Sequence, residues 1–273
     1  MEQPVKIKED VYWVGVLDPD LVTFDIVIPT KYGTTYNSYL VRGEKVAVID
    51  TVKAYCVDEF ISKIRSLVRP EDIDYIIINH TEPDHSGGLI RLMELAPRAI
   101  PVFSRGARTF VKNILHKEFD YKEVKAGDSI DLGGKVLKFI SAPFLHWPDT
   151  MFTYLETDKI LFPCDAFGSH YCSDKRFNDE LGSKEDAFSA YEFYYYTILR
   201  PFKQHVINAL DNIKDIDIEM IAPSHGPILR ENIEKYIDAY REWSGRTKRY
   251  PDKKKITIIY VSSYGSTKRM AES

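Results

Sequence analysis

Short runs of apolar, often β-branched residues alternate along this chain with longer stretches whose apolar positions fall at helical spacing. Up to residue 49 only the short kind occurs. Val11–Val16, Val22–Ile28, Tyr36–Val41 and Lys45–Ile49 are bounded by turn residues, with Gly33 and Arg42-Gly43 as punctuation, and predict an antiparallel sheet. A helix is predicted over Val57–Val68, where Phe60, Ile61, Ile64, Leu67 and Val68 share a face and Pro70 stops it. Asp74–Asn79 reads as a buried strand leading straight into His80. Ser86–Ala96 reads as a second helix, with Ser86 as N-cap and Pro97 just past its end. Further strands are predicted at Val136–Ser141, Met151–Glu156 and Ile160–Pro163. A tyrosine-rich helical stretch, Glu185–Leu210, is interrupted at Pro201; a strand, Ile218–Ala222, and a helix, Glu231–Trp243, follow.

The pattern changes at Gly245. Residues 245–255 hold Arg246, Lys248, Arg249, Lys253, Lys254 and Lys255 with one proline, a run that reads as a solvated linker rather than a recognition patch. Beyond it, Ile256–Val261 is an apolar strand, Ser262–Ser266 a small-residue loop and Thr267 a helix start. The expected organisation is a domain over 1–244, a linker over 245–255 and the beginning of a second domain over 256–273.

A chain of 273 residues that is 44% hydrophobic and 13% aromatic can bury a substantial core. Charged residues of both signs make up 29%, and the net charge of −4 supplies no field for nucleic acid or anionic lipid, so neither is an expected partner. No apolar run approaches the roughly 20 residues that span a bilayer, and the first residues lack the apolar stretch of a secretory signal. A cytoplasmic location is the expectation. Cys56, Cys164 and Cys172 form no C-x-x-C pair and leave an odd count, which predicts buried free thiols.

Chemistry concentrates in His80-Thr81-Glu82-Pro83-Asp84-His85, four ligand-type side chains in six residues between a buried strand and a helix. In an extended stretch residues i and i+2 point the same way, so His80, Glu82 and Asp84 can converge while the helix start turns His85. By itself the segment also reads as a solvated loop capping the next helix, with Asp84 or Ser86 as N-cap. Three further ligand types then sit at the ends of strand patterns: His146 after Lys138–Pro143, Asp165 after Ile160–Cys164 and His225 after Met220–Ser224. Each alone reads as a loop residue, whereas strand ends on one edge of a sandwich share one surface. Four imidazoles and three carboxylates make a mixed nitrogen and oxygen shell, suited to two iron or manganese ions better than an imidazole-richer zinc site.

At these residues the chain resembles the metallo-β-lactamase superfamily, whose metal loop reads His-x-[His or Glu]-x-Asp-His with further His, Asp and His downstream. Glu82 stands where zinc hydrolases of that superfamily usually carry His and where flavodiiron proteins carry Glu. The resemblance extends through Gly33–Leu40, His146-Trp147-Pro148-Asp149, Asp165-Ala166-Phe167-Gly168 and Ser224-His225-Gly226-Pro227. The tail, Ser262-Ser263-Tyr264-Gly265-Ser266-Thr267, is similar to the phosphate loop of a flavodoxin, where hydroxyls and backbone N–H groups at a helix N-terminus cradle FMN. The fold implied is an α+β, metallo-β-lactamase-like αββα sandwich with only the first strand and loop of a flavodoxin-like domain. Eighteen residues cannot build an FMN-holding sheet, so a truncated chain without bound FMN is expected.

The resemblance implies one iron on His80, Glu82 and His146, a second on Asp84, His85 and His225, and Asp165 bridging. It implies reduction of O2 to water, or of NO to N2O, with electrons passing through FMN from a rubredoxin-like or other donor, in a head-to-tail homodimer. Tyr194 is a candidate pocket hydroxyl and Trp147 a candidate pocket wall. Asp25 follows Phe24 where many relatives carry a pocket His. His170 reads either as a hydrogen-bonding group near the ligand or as a surface-loop residue, and His116 and His205 as structural. Two alternatives stay open: a zinc-dependent hydrolase of the same fold, for which His at position 82 is the expected sign, and a non-enzymatic di-iron O2 sensor, against which the FMN-type loop argues.

Overall fold

The structure is a computed structural model and describes residues 3–25, 27–116, 118–245, 260, 262 and 264–273. The expected linker beyond Gly245, the strand 256–261 apart from Tyr260, and Ser263 lie outside the described residues.

Two sheets face each other. The first has the strand order Val5–Lys8, Val11–Trp13, Tyr39–Arg42, Val46–Ile49, Ile73–Ile78, Ile100–Ser104, Lys122–Val124. Its first four strands pair antiparallel, two of the three pairs as hairpins with short turns and the middle pair, Val11–Trp13 with Tyr39–Arg42, across residues 14–38. From Val46–Ile49 onward the pairing is parallel, because the helices Val57–Leu67, Leu89–Leu95 and Arg108–Leu115 carry the chain back between strands. The antiparallel expectation thus holds for half of a mixed sheet. The second sheet runs Ser129–Asp131, Val136–Ser141, Met151–Leu155, Ile160–Phe162, Met220–Ile221, antiparallel except for its last, parallel pair.

Each sheet is covered on both faces, and side chains alternate accordingly. Val46, Val48, Ile76 and Ile78 point outward to a core shared with Phe60, Ile64 and Leu92 of the helices. Ala47, Ile49 and Ile77 point inward to Leu137, Phe139, Met151, Leu155 and Phe162 of the opposite sheet. Phe152, Tyr154 and Leu161 point out from the second sheet to Tyr191, Tyr195, Leu210 and Trp243. These three cores separate the four layers of a metallo-β-lactamase-like sandwich.

Two predicted strands break where the backbone must turn. Val11–Val16 divides at Gly15, where a Cβ would sit 2.3 Å from the Tyr36 carbonyl oxygen. Val22–Ile28 becomes a hairpin, Thr23–Phe24 against Ile28–Pro29, turning through Asp25 at φ +46°. The strand Ile100–Ser104 and the helix Arg108–Leu115 were not apparent in the sequence pattern. The tyrosine-rich stretch is helical over Lys184–Tyr194, passes through a π-helical segment, Tyr195–Leu199, and resumes as Lys203–Ile213. Among the described residues no helix is long and apolar enough to cross a membrane.

Candidate metal centre

The segment after Ile73–Ile78 is not extended throughout. Pro83, with its fixed φ, opens a short helix, Pro83–Ser86, and Glu82 is its N-cap. His80 and Glu82 therefore lie before the helix, while Asp84 and His85 are aimed by its first turn. Ser86 is the last residue of that helix and caps nothing; its hydroxyl donates to the carbonyls of Thr81 and Glu82. The next helix, Leu89–Leu95, has Gly88 as its N-cap.

Other strand ends bring in the remaining groups. Cys164, at φ +54°, turns the chain after Ile160–Phe162 and presents Asp165. His225 sits between Ser224 and Gly226, the latter at φ +77°. Buried Asp50, also in the left-handed region at φ +54°, accepts from the Asn79 backbone N–H at 2.7 Å and so holds the entry to His80. Thr51 donates from N and Oγ1 to the His85 carbonyl at 2.8 and 2.7 Å.

The seven predicted ligands converge. His146 Nε2 lies 2.9 Å from Glu82 Oε2, and His80 Nε2 lies 3.2 Å from the same oxygen. On the other side, His225 Nε2 is 3.1 Å from Asp84 Oδ2, and His85 Nε2 is 3.5 Å from Asp84 Oδ1. Asp165 stands between the groups. Its Oδ1 is 3.1 Å from His85 and 3.4 Å from His225, while its Oδ2 is 3.6 Å from His80 and 3.7 Å from His146. Single atoms of His80, Glu82, His85 and Asp165 all lie within 4.8 Å of one another, and so do those of Asp84, His85 and His225.

Both carboxylate oxygens of Asp84, His85 Nε2, Asp165 Oδ2 and His225 Nε2 are buried without a hydrogen-bond partner. Orphaned buried groups of this kind are costly, and lone pairs aimed at a shared space are what two cations would satisfy. The other ring nitrogens fix the tautomers. His80 Nδ1 donates to Asp149, and His225 Nδ1 donates to the Thr35 carbonyl at 2.6 Å, leaving Nε2 of each toward the centre.

The charges reinforce one another. Burial would raise Asp165, yet the imidazoles of His85, His225 and His80 hold it well below the ordinary carboxylate range. Burial would likewise lower His225, yet Asp165 and Asp84 carry it up to about 10. His80 is raised in the same way by Asp149 and Glu82 against its burial. Without cations these groups form a buried salt-bridge cluster that metal ions would have to displace.

Glu82, His146 and Asp165 open onto a cavity of about 330 Å3, which Asp25, Tyr194 and Phe202 also line. The Tyr194 hydroxyl is buried and donates to Asp165 Oδ1 at 2.9 Å. Asp25 is pushed up to about 6 by burial and by the facing Glu82 and Asp84 carboxylates. Trp147 is not among the residues lining this cavity; it lies edge-on to His80, ring centroids 5.1 Å apart, and so buttresses a ligand instead. His170 is no surface residue. It is buried, bonded through Nδ1 to Thr34 Oγ1 at 2.9 Å, and packed 4.9 Å from the Tyr194 ring. Gly265, at φ +78°, is the N-cap of the helix Ser266–Glu272. None of Ser262, Tyr264, Gly265, Ser266 and Thr267 belongs to the metal centre.

Sequence reasoning missed Asp149, Thr35, Asp50 and Thr51, which aim the ligands rather than supply them. Two of them had a signal, since Asp149 closes the motif His146-Trp147-Pro148-Asp149 and Thr35 lies within Gly33–Leu40.

The model of the family described as ODP family beta lactamase matches residues 34–226, which include all seven candidate ligands. The flavo-diiron protein FprA2 of Clostridium acetobutylicum is 46% identical over 98% of this chain and 67% of its own length. The type A flavoprotein fprA of Rhodobacter capsulatus is 42% identical over 99% of the chain and 63% of its own. The chain thus spans about two thirds of the length of these curated relatives. The rubredoxin oxygen:oxidoreductase structure from Desulfovibrio gigas superposes with a TM-score of 0.86 at 31% identity, over 89% of this chain and 61% of that one. Matched along nearly its whole length in sequence and in fold, the chain belongs to the flavodiiron, or A-type flavoprotein, family, and carries that family's metallo-β-lactamase-like domain.

Proposed function

We propose that residues 1–244 form a di-iron oxidoreductase domain that reduces O2 to water or NO to N2O. His80, Glu82 and His146 would hold one ion, Asp84, His85 and His225 the other, and Asp165 would join them. The observation that carries this reading is Asp165, whose two carboxylate oxygens face different pairs of imidazoles. A ferrous pair held by these residues would supply two electrons and a Lewis-acidic site for a diatomic ligand.

The chain's own residues prepare that space. Three carboxylates offset most of the charge of two divalent ions and keep the donor set a mixture of nitrogen and oxygen, which suits iron better than an imidazole-richer zinc site. Tyr194 keeps its hydroxyl on Asp165 and fixes the carboxylate's orientation. Phe24, Ile28, Ile198 and Phe202 make the rest of the cavity wall largely apolar, which admits small uncharged gases and limits water. Electrons would arrive through FMN bound beyond a linker at 245–255, with 256–273 opening that domain and Ser262–Thr267 at its phosphate. A rubredoxin-like donor and a head-to-tail homodimer belong to the same proposal.

Elemental analysis of protein from iron-replete cells tests the metal, and stopped-flow mixing of the reduced protein with O2 or NO tests the chemistry. Two irons and fast oxidation or nitrosyl absorption are expected. Two zinc ions would overturn the reading in favour of hydrolysis, and an iron-loaded sample inert to both gases would overturn gas reduction.

A further inference from the structure

Gly33–Leu40 supplies no ligand to the centre, yet it is tied to the loop that carries His225 through Thr35, Asn37 and Tyr39, of which Asn37 makes the most bonds. Asn37 is 2% exposed, and its side-chain amide Nδ2 donates to the Pro223 carbonyl at 2.8 Å and to the Gly226 carbonyl at 2.9 Å. Its backbone N–H donates to the Ser224 carbonyl at 2.8 Å. Asn37 thereby bonds to each neighbour of His225 in residues 223–226. The amide has only one workable orientation, because its Oδ1 accepts from Trp13 Nε1 at 2.8 Å while both carbonyls demand donors. Trp13 is itself held, with Lys63 Nζ 4.4 Å and Arg176 Cζ 4.5 Å from its ring centroid. Lys63 Nζ also donates to the Gly15 carbonyl at 2.6 Å.

Among the described residues this segment makes no direct hydrogen bond to the other ligand group, which it reaches only through Ser38, whose hydroxyl donates to the Asp50 carbonyl at 2.9 Å. His80 is oriented by Asp149, and Glu82 and His146 lie at the cavity. We infer that Asn37 is a positioning residue of His225, fixing the loop backbone while the Thr35 carbonyl holds the ring, and that it tunes the affinity of the metal ion shared by Asp84, His85 and His225, leaving the ion at His80, Glu82 and His146 nearly unaffected. This rests on the two-metal reading above. The physical reason is that a buried amide with both donors and its acceptor used cannot shift without breaking several hydrogen bonds together, so it transmits the rigidity of the Trp13 strand to Nε2 of His225.

The test titrates cobalt(II) into the metal-free chain and follows stoichiometry, affinity and visible absorption. Wild type should take up two ions. Asn37→Asp, which keeps the shape and removes both donors, should retain one tight ion and weaken the other by about 10- to 100-fold. The spectrum of its remaining ion should match that of His225→Ala, a signature that general loosening would not produce. Trp13→Phe should weaken the same ion by a smaller factor, and it decides the matter alone where Asn37→Asp does not fold. Equal weakening of both ions, or no change in either, overturns the inference. Fewer than two ions in wild type would overturn the two-metal reading, and this inference with it, before any variant is examined.

Discussion

His80 Nδ1 lies 3.1 Å from the carboxylate of Asp149, a residue 69 positions away that is itself fully buried. The same carboxylate accepts from Thr81 N and Thr81 Oγ1 at 2.8 and 2.7 Å, so one side chain holds both the ligand and its neighbour. In Asp149→Asn the amide must turn its NH2 toward one of these donors. Metal retention should weaken by about tenfold in Asp149→Asn and approach a hundredfold in Asp149→Ala, read by competition with a chelator. Unchanged affinity in both variants would remove Asp149 from the account.

Asp165 faces all four imidazoles of the centre, whereas His146 approaches only Glu82 and one Asp165 oxygen. Asp165→Ala should therefore lose both metals together, and His146→Ala one in preference to the other. Metal counts on the two purified variants check this. Full retention of both ions in Asp165→Ala would contradict the bridge.

Loading should release protons. Against their burial, facing carboxylates raise His80 and His85 and take His225 up to about 10, so the metal-free protein carries imidazolium where the metals need neutral nitrogen. Apparent metal affinity should climb as pH rises toward 10, with about one to three protons released near neutrality, measurable by calorimetry in buffers of different ionisation enthalpy. For the metal-free fold the sign is opposite. A raised imidazole stabilises fully below its unfolded value of 6.5, and that contribution is lost as pH rises through about 10, so the unfolding temperature of the metal-free protein should fall across that window.

Gly226 combines φ +77° with a crowded Cα; an added Cβ would lie 2.2 Å from Ser169 Oγ and 2.6 Å from the Ser169 carbonyl oxygen. Gly226→Ala should cost at least about 1–3 kcal/mol in chemical denaturation, through overpacking and left-handed strain together. Because Gly226 adjoins His225, the variant should also lose metal affinity. A neutral effect on stability would show that the loop relaxes without penalty.

The convergence of the seven candidate ligands was legible because ligand-type residues are few and chemically distinctive, and strand ends deliver them to one edge. His80, Glu82, Asp84, His85, His146, Asp165 and His225 could be picked out one by one, and the periodicity of Val57–Leu67 or Ile73–Ile78 is a local property that the pleat and the helical turn impose on the sequence itself. The short helix Pro83–Ser86 was legible too, through a proline suited to its first turn, but the extended reading obscured it.

What tertiary structure alone decided is how those ligands are aimed. The hydrogen bonds of Thr34 to His170, Asn37 to Pro223 and Thr35 to His225 span 136, 186 and 190 residues, and no periodicity connects their ends. His170 could be read as a surface residue because its loop is polar, and only the closing of Phe24 and Tyr194 over its ring makes it buried. Sequence determined which side chains could bind metal, since that chemistry belongs to the residue. The fold decided which nitrogen faces inward and which carboxylate stands between the two groups, because direction comes from hydrogen bonds that exist only once the two sheets have packed.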